Sequence, residues 1–278
     1  MRRYRGPCAL ALVCLLCASC AAPGGTAGEE SPAESAARPS GPPPGPFDYQ
    51  LGGAYPPAAD AVTVVRDATE HPEPGLYSVC YVNGFQTQPQ DASFWLEEHP
   101  DLVLRGADGE PVADPDWPDE YLLDTSTAER RGRIADLVAD TVGTCAERGF
   151  DAVEFDNLDS FTRGAVTAVD NLALAADLVA AAHALGLAAA QKNTAELAAR
   201  ARREAGFDFA VAEECVAFDE CAAYTSVYGD AVLVVEYPDT LGTGLARVCD
   251  DPDTPPSTVL RDRGLLVPGR DGHLRESC

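Results

Sequence analysis

The amino-acid sequence predicts an α/β fold and, within that class, a single-domain (β/α)8 TIM barrel. Eight short apolar segments are spaced along the chain, and most are apolar on both faces, as strands buried in a parallel sheet are. A helical pattern ends and an apolar strand follows at Gly149, Gly186 and Gly206, and such repeated connections imply a parallel sheet. Eight strands in about 220 residues fit a barrel, whereas a doubly wound open sheet is disfavoured because no Gly-x-Gly-x-x-Gly follows the first strand.

Each predicted element rests on a local pattern. The predicted strands are Asp48–Leu51, Val62–Val65, Leu76–Val82, Ala152–Phe155, Leu187–Gln191, Phe209–Ala212, Val232–Val235 and Leu265–Val267. The predicted helices, Ala128–Arg148, Val169–Leu185 and Thr194–Ala205, each end directly before a glycine. Residues 83–127 contain Trp95, Trp117 and Tyr121 but little regular pattern, and we expect a long loop at the rim of the barrel where substrates bind. Residues 239–278 are expected to supply the closing strand and a tail.

Residues 1–20 have the features of an export signal. Three arginines precede the apolar segment Ala9–Ala18, which is about half as long as a membrane span. The following Ser19-Cys20 resembles a bacterial lipoprotein cleavage site, with Cys20 as the lipid-bearing residue; an ordinary secretory peptide is the alternative. Residues 21–46, rich in Ala, Pro, Gly and Ser, are predicted to tether the domain at 47–278. We therefore expect an exported protein, either a lipoprotein on the outer face of the cell membrane or a secreted one.

The charge balance excludes two classes of partner. The chain has 45 acidic and 20 basic residues, which gives a formal net charge of -25. Nucleic acids and anionic lipid headgroups both require a basic surface, so we expect neither as a partner, and membrane contact only through a lipid on Cys20. The only lysine of the chain is Lys192. We expect a monomer without a cofactor or metal.

The cysteines predict disulfides. Six lie beyond the signal: Cys80, Cys145, Cys215, Cys221, Cys249 and Cys278. An even number in an exported protein predicts up to three disulfides, and the pairing stays open apart from the short Cys215 to Cys221 loop. Zinc binding is the alternative, but the chain has no Cys-x-x-Cys pair and no histidine cluster.

Ionisable residues follow four consecutive predicted strands. They are Glu154 and Asp156, then Lys192, then Glu213 and Glu214, then Glu236. Because the C-terminal ends of barrel strands converge on one mouth, we expect these side chains to form a single site. The preference of helix N-termini for acidic residues would account for one or two of them, but not for a lysine.

The residue types at these strand ends favour glycoside hydrolysis. The sequence has no Gly-x-Ser-x-Gly motif and no P-loop, and none of its four histidines lies at a strand end of the cluster. Two carboxylates on different strands can divide the reaction, one attacking the anomeric carbon and the other protonating the leaving oxygen. Lys192 could hold one of them ionised, and Trp95 and Trp117 could stack on sugar rings.

These segments together resemble glycoside hydrolase family 114, the endo-α-1,4-polygalactosaminidases. The similar segments run from about residue 47 to residue 238. They are Tyr49-Gln50-Leu51, Val79-Cys80-Tyr81-Val82, Leu122-Leu123-Asp124, Glu154-Phe155-Asp156-Asn157-Leu158-Asp159, Lys192-Asn193, Glu213-Glu214-Cys215 and Val235-Glu236-Tyr237. Phe155 stands where the family often has proline, and Ala212 stands where it often has asparagine.

The resemblance implies a barrel that cleaves α-1,4-linked galactosamine polymers by a metal-free, retaining double displacement. It implies Asp156 as the nucleophile and Glu213 as the general acid/base. The sugar subsites are then expected to be lined by Tyr81, Asp124, Glu154, Asn157, Asp159, Lys192, Asn193, Glu214, Glu236 and Tyr237. Two alternatives stay open, a barrel glycosidase for another polysaccharide and a surface lipoprotein that binds glycan without cutting it.

Overall fold

Nine strands form one sheet within residues 39–278, the part of the chain that the computed structural model describes. In chain order they are β1 Phe47–Gln50, β2 Thr63–Asp67, β3 Tyr77–Asn83, β4 Ala152–Asp156, β5 Ala188–Lys192, β6 Phe209–Glu213, β7 Val232–Glu236, β8 Ser257–Arg261 and β9 Arg275–Ser277. Strands β1 to β8 pair in parallel in sequence order, which confirms the predicted barrel, and β9 pairs antiparallel with β8. The predicted export signal, Cys20 and residues 21–38 lie outside the described residues.

Helices follow most of the later strands. They are α1 Ala128–Arg148, α2 Ala168–Ala184, α3 Ala198–Arg200, α4 Cys221–Tyr228, α5 Pro238–Leu241 and α6 Leu245–Cys249. The first has the predicted bounds because Thr127 accepts a hydrogen bond from the Arg130 N–H at its start, and Gly149, at φ 90°, ends it. Within the described part of the chain, no helix combines the length and apolar character needed to span a membrane.

The eighth strand is the one element that was predicted in the wrong place. Leu265–Val267 is not a strand, and Leu265 has a φ of 47°, which extended backbone does not adopt. The strand is Ser257–Arg261, whose two hydroxyl residues and terminal arginine are all buried. A buried Ser, Thr and Arg hide the apolar pattern on which the prediction depended.

Side-chain alternation along the strands decides which residues face the barrel interior. Ala188 and Ala190 of β5 and Phe209 and Val211 of β6 belong to the interior apolar cluster. The same cluster contains Leu233 and Val235 of β7, and Tyr237, which directly follows that strand. The same period of two carries Lys192 and Glu213 inward at the C-terminal ends of β5 and β6, directly above apolar layers. The barrel interior is therefore a packed core with a polar upper layer.

The long segment 83–127 folds over one side of the mouth. It contains the isolated antiparallel pairs Gln86 with Leu122 and Val103 with Leu123. Trp95 is 7% exposed and belongs to the core, so it cannot stack on a sugar as predicted, whereas Trp117 is 62% exposed. Only one of the two tryptophans is therefore available for sugar stacking.

The end of the predicted tether packs on the domain. The Tyr77 hydroxyl donates to the Ser40 carbonyl at 2.7 Å, and the Gly45 N–H donates to Ser257 Oγ at 2.9 Å. Gly41 approaches Phe209 and Ala231 so closely that an added Cβ would lie 3.2 Å from the Phe209 Cβ. Residues 39–46 therefore belong to the folded domain, since proline and glycine permit this close approach.

All six cysteines of the described residues form disulfides, as predicted. The pairs are Cys80–Cys145, Cys215–Cys221 and Cys249–Cys278. They join β3 to α1, close a short loop after β6, and connect residue 278 to α6. The middle pair begins two residues after Glu213 and so restrains the chain beside a predicted catalytic residue.

Candidate active site

A cavity of about 410 Å³ opens at the C-terminal ends of the strands. It is lined by Tyr49 of β1, Tyr81 of β3, Asp156 of β4, Lys192 of β5, Glu213 of β6 and Tyr237 after β7. All six lie at or near strand ends on the inner face, because the alternation that buries the apolar layers below them also directs these side chains inward. The barrel thus brings together the two predicted catalytic carboxylates.

The Lys192 ammonium group lies at the centre of this site. Its Nζ is 3.1 Å from Glu154 Oε1, 3.3 Å from Asp156 Oδ2 and 3.4 Å from Glu213 Oε2. It also donates to the Tyr49 hydroxyl at 3.1 Å, and its side chain is 3% exposed. Burial disfavours a charged lysine, but the surrounding carboxylates outweigh it and raise the Lys192 pKa above its ordinary value. One cation therefore serves three carboxylates.

Each predicted catalytic carboxylate is held by further donors. For Asp156, the Tyr81 hydroxyl donates to Oδ2 at 2.7 Å and the Asn157 N–H donates to Oδ1 at 2.7 Å. For Glu213, the Tyr237 hydroxyl donates to Oε1 and Asn193 Nδ2 donates to Oε2 at 3.2 Å. Burial raises the pKa of both tyrosines well above the ordinary value, so they stay protonated and act as donors.

The backbone is unusual directly after each of the three strands that carry these groups. Asn157, Asn193 and Glu214 follow Asp156, Lys192 and Glu213, and their φ values are 68°, 49° and 62°. Residues other than glycine rarely adopt this left-handed conformation, and it persists only where the surrounding structure fixes it. The turns at β4, β5 and β6 thus end the strands abruptly and leave the functional side chains at the rim of the cavity.

Glu154 does not reach the cavity, contrary to the predicted sugar contact. It faces inward one layer below Asp156, is 0% exposed, and accepts hydrogen bonds from the Tyr49 hydroxyl at 2.8 Å and from Lys192. Burial raises its pKa to about 7. Glu154 therefore supports Lys192 from beneath and cannot contact a sugar.

Glu236 and Glu214 were also predicted to line subsites, and neither lines the cavity. Glu236 points outward from β7, one residue out of phase with Tyr237, and accepts a hydrogen bond from the Val216 N–H at 2.8 Å. It is 0% exposed, and burial raises its pKa to about 7. Glu214 is turned to the side, where it binds Arg263 through both carboxylate oxygens.

Asp124 likewise lies away from the cavity, because it pairs with Arg130 at 3.0 Å and caps the turn at Ser126. Asp159 and Asn193 line a second, smaller cavity of about 230 Å³, which shares Glu213 with the first. Tyr81, Asn157, Lys192 and Tyr237, which were also predicted to line sugar subsites, line the first cavity.

Several lining residues escaped the sequence prediction. They are Tyr49, Asp67, Gln86, Glu120 and Arg263. Tyr49 lies in a segment that carried the family resemblance, and its inward position on β1 was the available signal. Glu120 accepts from Gln86 Nε2 at 2.7 Å, and burial raises its pKa. No pattern marks Glu120 or Arg263, because both lie in irregular segments.

Comparisons with known proteins bear on the family and the fold. The model of glycoside-hydrolase family GH114 matches residues 28–278. The fold is similar to that of Aspergillus fumigatus Ega3, solved in complex with galactosamine, with 20% sequence identity, a TM-score of 0.67, and coverage of 90% of this chain and 100% of that one. It is also similar to the glycoside hydrolase domain of PelA from Pseudomonas aeruginosa, with 15% identity, a TM-score of 0.54, and coverage of 85% and 99%. No curated protein matches the sequence significantly.

We predict that Lys192→Met destabilises the protein mainly above neutral pH. The change leaves three carboxylates facing one another without their cation, and loss of one partner of a buried ion pair costs about 3–5 kcal/mol. Urea unfolding at pH 7.5 is expected to show this loss, and unfolding at pH 5 a smaller one, because protonation then relieves the repulsion. The exposed-pair control Arg200→Met should change stability by less than about 1 kcal/mol at either pH. Equal losses for Lys192→Met at both pH values would contradict the shared-cation account.

We also predict that Glu236→Gln flattens the pH dependence of stability. The folded protein keeps the Glu236 proton up to about pH 7, whereas the unfolded chain, with an ordinary glutamate pKa, releases it near pH 4.5. The favourable contribution is therefore complete below pH 4.5 and is lost as the pH rises through 7. Between pH 5 and pH 8 the wild type should lose on the order of 2 kcal/mol relative to the variant, measured by urea unfolding.

Glutamine at position 236 can still accept the Val216 hydrogen bond, so the variant is expected to fold. Glu147→Gln, which changes an exposed glutamate of α1, is the matched control and should follow the wild-type profile. Parallel profiles for the wild type and Glu236→Gln would show that Glu236 is not protonated in the fold.

Proposed function

Because the chain belongs to glycoside-hydrolase family GH114, we propose that it is an exported, retaining endo-glycosidase that cleaves α-1,4-linked galactosamine polymers. The observation that carries this proposal is the position of Asp156 and Glu213 on one cavity, both in contact with the same ammonium group. The alternative of a binder that does not cut requires neither carboxylate, and nothing in the geometry favours it.

The spacing of the carboxylates supports a retaining mechanism. Asp156 Oδ2 lies 3.3 Å and Glu213 Oε2 lies 3.4 Å from Lys192 Nζ. The distance between the two oxygens therefore cannot exceed the sum of these two distances. Retaining glycosidases hold their carboxyl groups about 5–5.5 Å apart, whereas inverting ones leave about 6.5–9.5 Å for a water molecule. The limit set by Lys192 includes the retaining separation and reaches only the lower end of the inverting range.

The reaction proceeds in two displacements. Asp156 attacks the anomeric carbon while Glu213 gives its proton to the leaving glycosidic oxygen, so that a covalent glycosyl-enzyme forms and the leaving chain departs as an alcohol. Water then enters, Glu213 takes its proton, and the resulting hydroxide displaces Asp156. Each step inverts the anomeric carbon, so the product has the configuration of the substrate.

The neighbouring donors suit these roles. Tyr81 and the Asn157 N–H hold the two oxygens of Asp156 in fixed directions, which aims the nucleophile before the sugar arrives. Asn193 binds Glu213 twice, because its Nδ2 donates to the carboxylate and its Oδ1 accepts from the Glu213 N–H at 2.8 Å. These two hydrogen bonds connect the C-terminal end of β6 to the residue that follows β5.

The acidic cavity supports an amino sugar as the substrate. Asp67 and Glu120 line the same cavity as the catalytic pair, and the whole chain has a net charge of -25. Unacetylated galactosamine carries an ammonium group near neutral pH, and a negative protein attracts such a polymer over long range. The complex of the structurally similar Ega3 with galactosamine points to the same sugar.

We predict that Asp156→Asn and Glu213→Gln each lower polymer cleavage by at least about 100-fold while leaving the fold intact. The assay counts new reducing ends released from α-1,4-galactosamine polymer, and circular dichroism checks the fold. Asp136→Asn and Glu147→Gln make the same chemical changes at exposed positions of α1 and should keep full activity. Normal cleavage by either active-site variant would refute the assignment, and polymer binding by the wild type without any new reducing ends would favour the binder.

We further propose that a lipid on Cys20 anchors the exported protein. The three disulfides support passage through an oxidising compartment. In a bacterial host, labelled palmitate should enter the wild type and Cys17→Ala but not Cys20→Ala. An unlabelled wild type found in the medium would instead indicate an ordinary secretory peptide.

A further inference from the structure

Arg263 lies on the wall of the catalytic cavity but touches neither catalytic carboxylate. It follows β8 in the turn that leads to β9, on the Glu213 side of the mouth. Its contacts join the chain segments that follow β6, β7 and β8, and one of its partners, Tyr237, contacts Glu213 directly. We propose that Arg263 is a positioning residue, which fixes the orientation of the Glu213 acid/base through Tyr237 and Glu214. This inference rests on the proposed glycosidase function.

The first set of contacts fixes the guanidinium itself. Its Nη1 and Nη2 donate to Glu214 Oε2 and Oε1 at 3.1 Å and 2.6 Å, and its Nε lies 3.1 Å from both carboxylate oxygens of Asp239. The bidentate contact with Glu214 restricts the orientation of the guanidinium as well as its distance, because the planar guanidinium matches the planar carboxylate. Two carboxylates already surround this one cation, which leaves it poorly suited to bind a substrate group.

The second contact acts through Tyr237. The guanidinium carbon lies 4.2 Å from the centre of the Tyr237 ring, which is a close cation–π contact. The hydroxyl of the same ring donates to Glu213 Oε1. Because the ring is only 4% exposed and Arg263 covers its face, movement of the tyrosine would require the arginine to move as well.

The third contact acts through the backbone. Glu214 directly follows Glu213 and has a φ of 62°, a conformation that a glutamate adopts only when its surroundings hold it. Its N–H donates to the Val235 carbonyl at 2.8 Å, and its side chain is held by Arg263 and by the Thr240 hydroxyl. The ion pair with Arg263 therefore restrains the residue that sets the direction of the chain immediately after the acid/base.

The three contacts have one consequence for the reaction. If Arg263 acts only through Glu213, its loss should slow the steps in which Glu213 transfers a proton and leave sugar binding unchanged. A structural role would instead slow every substrate equally, and a role in substrate binding would raise KM.

The experiment compares Arg263→Met and Arg263→Lys on two substrates. One is α-1,4-galactosamine polymer, and the other is a dinitrophenyl α-glycoside of a short galactosamine oligomer, whose leaving group departs without a proton. Arg263→Met should lower kcat on the polymer by roughly 10-fold with KM within about twofold, and should leave kcat/KM on the dinitrophenyl glycoside within about twofold of the wild type. Arg263→Lys keeps the positive charge but not the planar guanidinium, so it should recover only a minor part of the lost activity. Arg133→Met, which breaks the exposed Arg133–Asp101 pair, is the matched control and should have no effect.

Three results would overturn the positioning role: wild-type kcat on the polymer, a raised KM with unchanged kcat, or equal losses on both substrates. If Arg263→Met does not fold, Glu214→Gln tests the same ion pair and should show the same difference between substrates, with a smaller loss.

Asp156→Asn in the same assays separates the two proposals. If it cleaves the polymer normally the glycosidase assignment fails, whereas if it is inactive and Arg263→Met is normal only the positioning role fails.

Discussion

The contacts of a single ammonium group organise the mouth of this barrel. Lys192 lies between β4 and β6 and contacts Glu154, Asp156 and Glu213, while Tyr49 of β1 contacts it from across the barrel. Three carboxylates this close together would repel one another strongly in a site partly shielded from water. The cation makes their approach possible, so the spacing of the proposed catalytic pair depends on the register of β5 between its two neighbours.

The raised pKa of Glu154 fits the same charge balance. One ammonium group cannot neutralise three carboxylates, and burial favours the protonated form of the deepest one, whose pKa rises to about 7. Near neutral pH part of the Glu154 population is therefore protonated, which lowers the negative charge directly beneath the cavity. The left-handed residues after β4, β5 and β6 complete this arrangement, because they end the strands where these side chains emerge.

The sequence was informative wherever regular alternation carries the signal. The strands β1 to β7, the helices α1 and α2, and the convergence of Asp156, Lys192 and Glu213 follow from apolar patterns and the parallel topology. The prediction that all acidic strand-end residues share one site was too broad. Successive side chains of a strand point to opposite faces of the sheet, so only some of these residues face the barrel interior. Glu154 faces inward one layer too deep, and Glu236 faces outward, where it serves the Val216 N–H.

Other features could not be read from the sequence, because they depend on contacts between distant segments. The buried Ser257, Thr258 and Arg261 conceal β8, and Trp95 enters the core only because the long loop folds back on α1. Arg263 and Glu120 reach the cavity from irregular segments, which have no hydrophobic periodicity from which their position could be predicted.

The stereochemistry of cleavage tests most directly whether Lys192 holds the two carboxylates close enough for Asp156 to attack the sugar itself. Proton NMR during hydrolysis of a defined α-1,4-galactosamine oligomer distinguishes the anomers of the newly formed reducing end before they equilibrate. The close pair predicts that the α anomer forms first. First appearance of the β anomer would mean that water attacks the sugar directly, which would contradict the arrangement around Lys192.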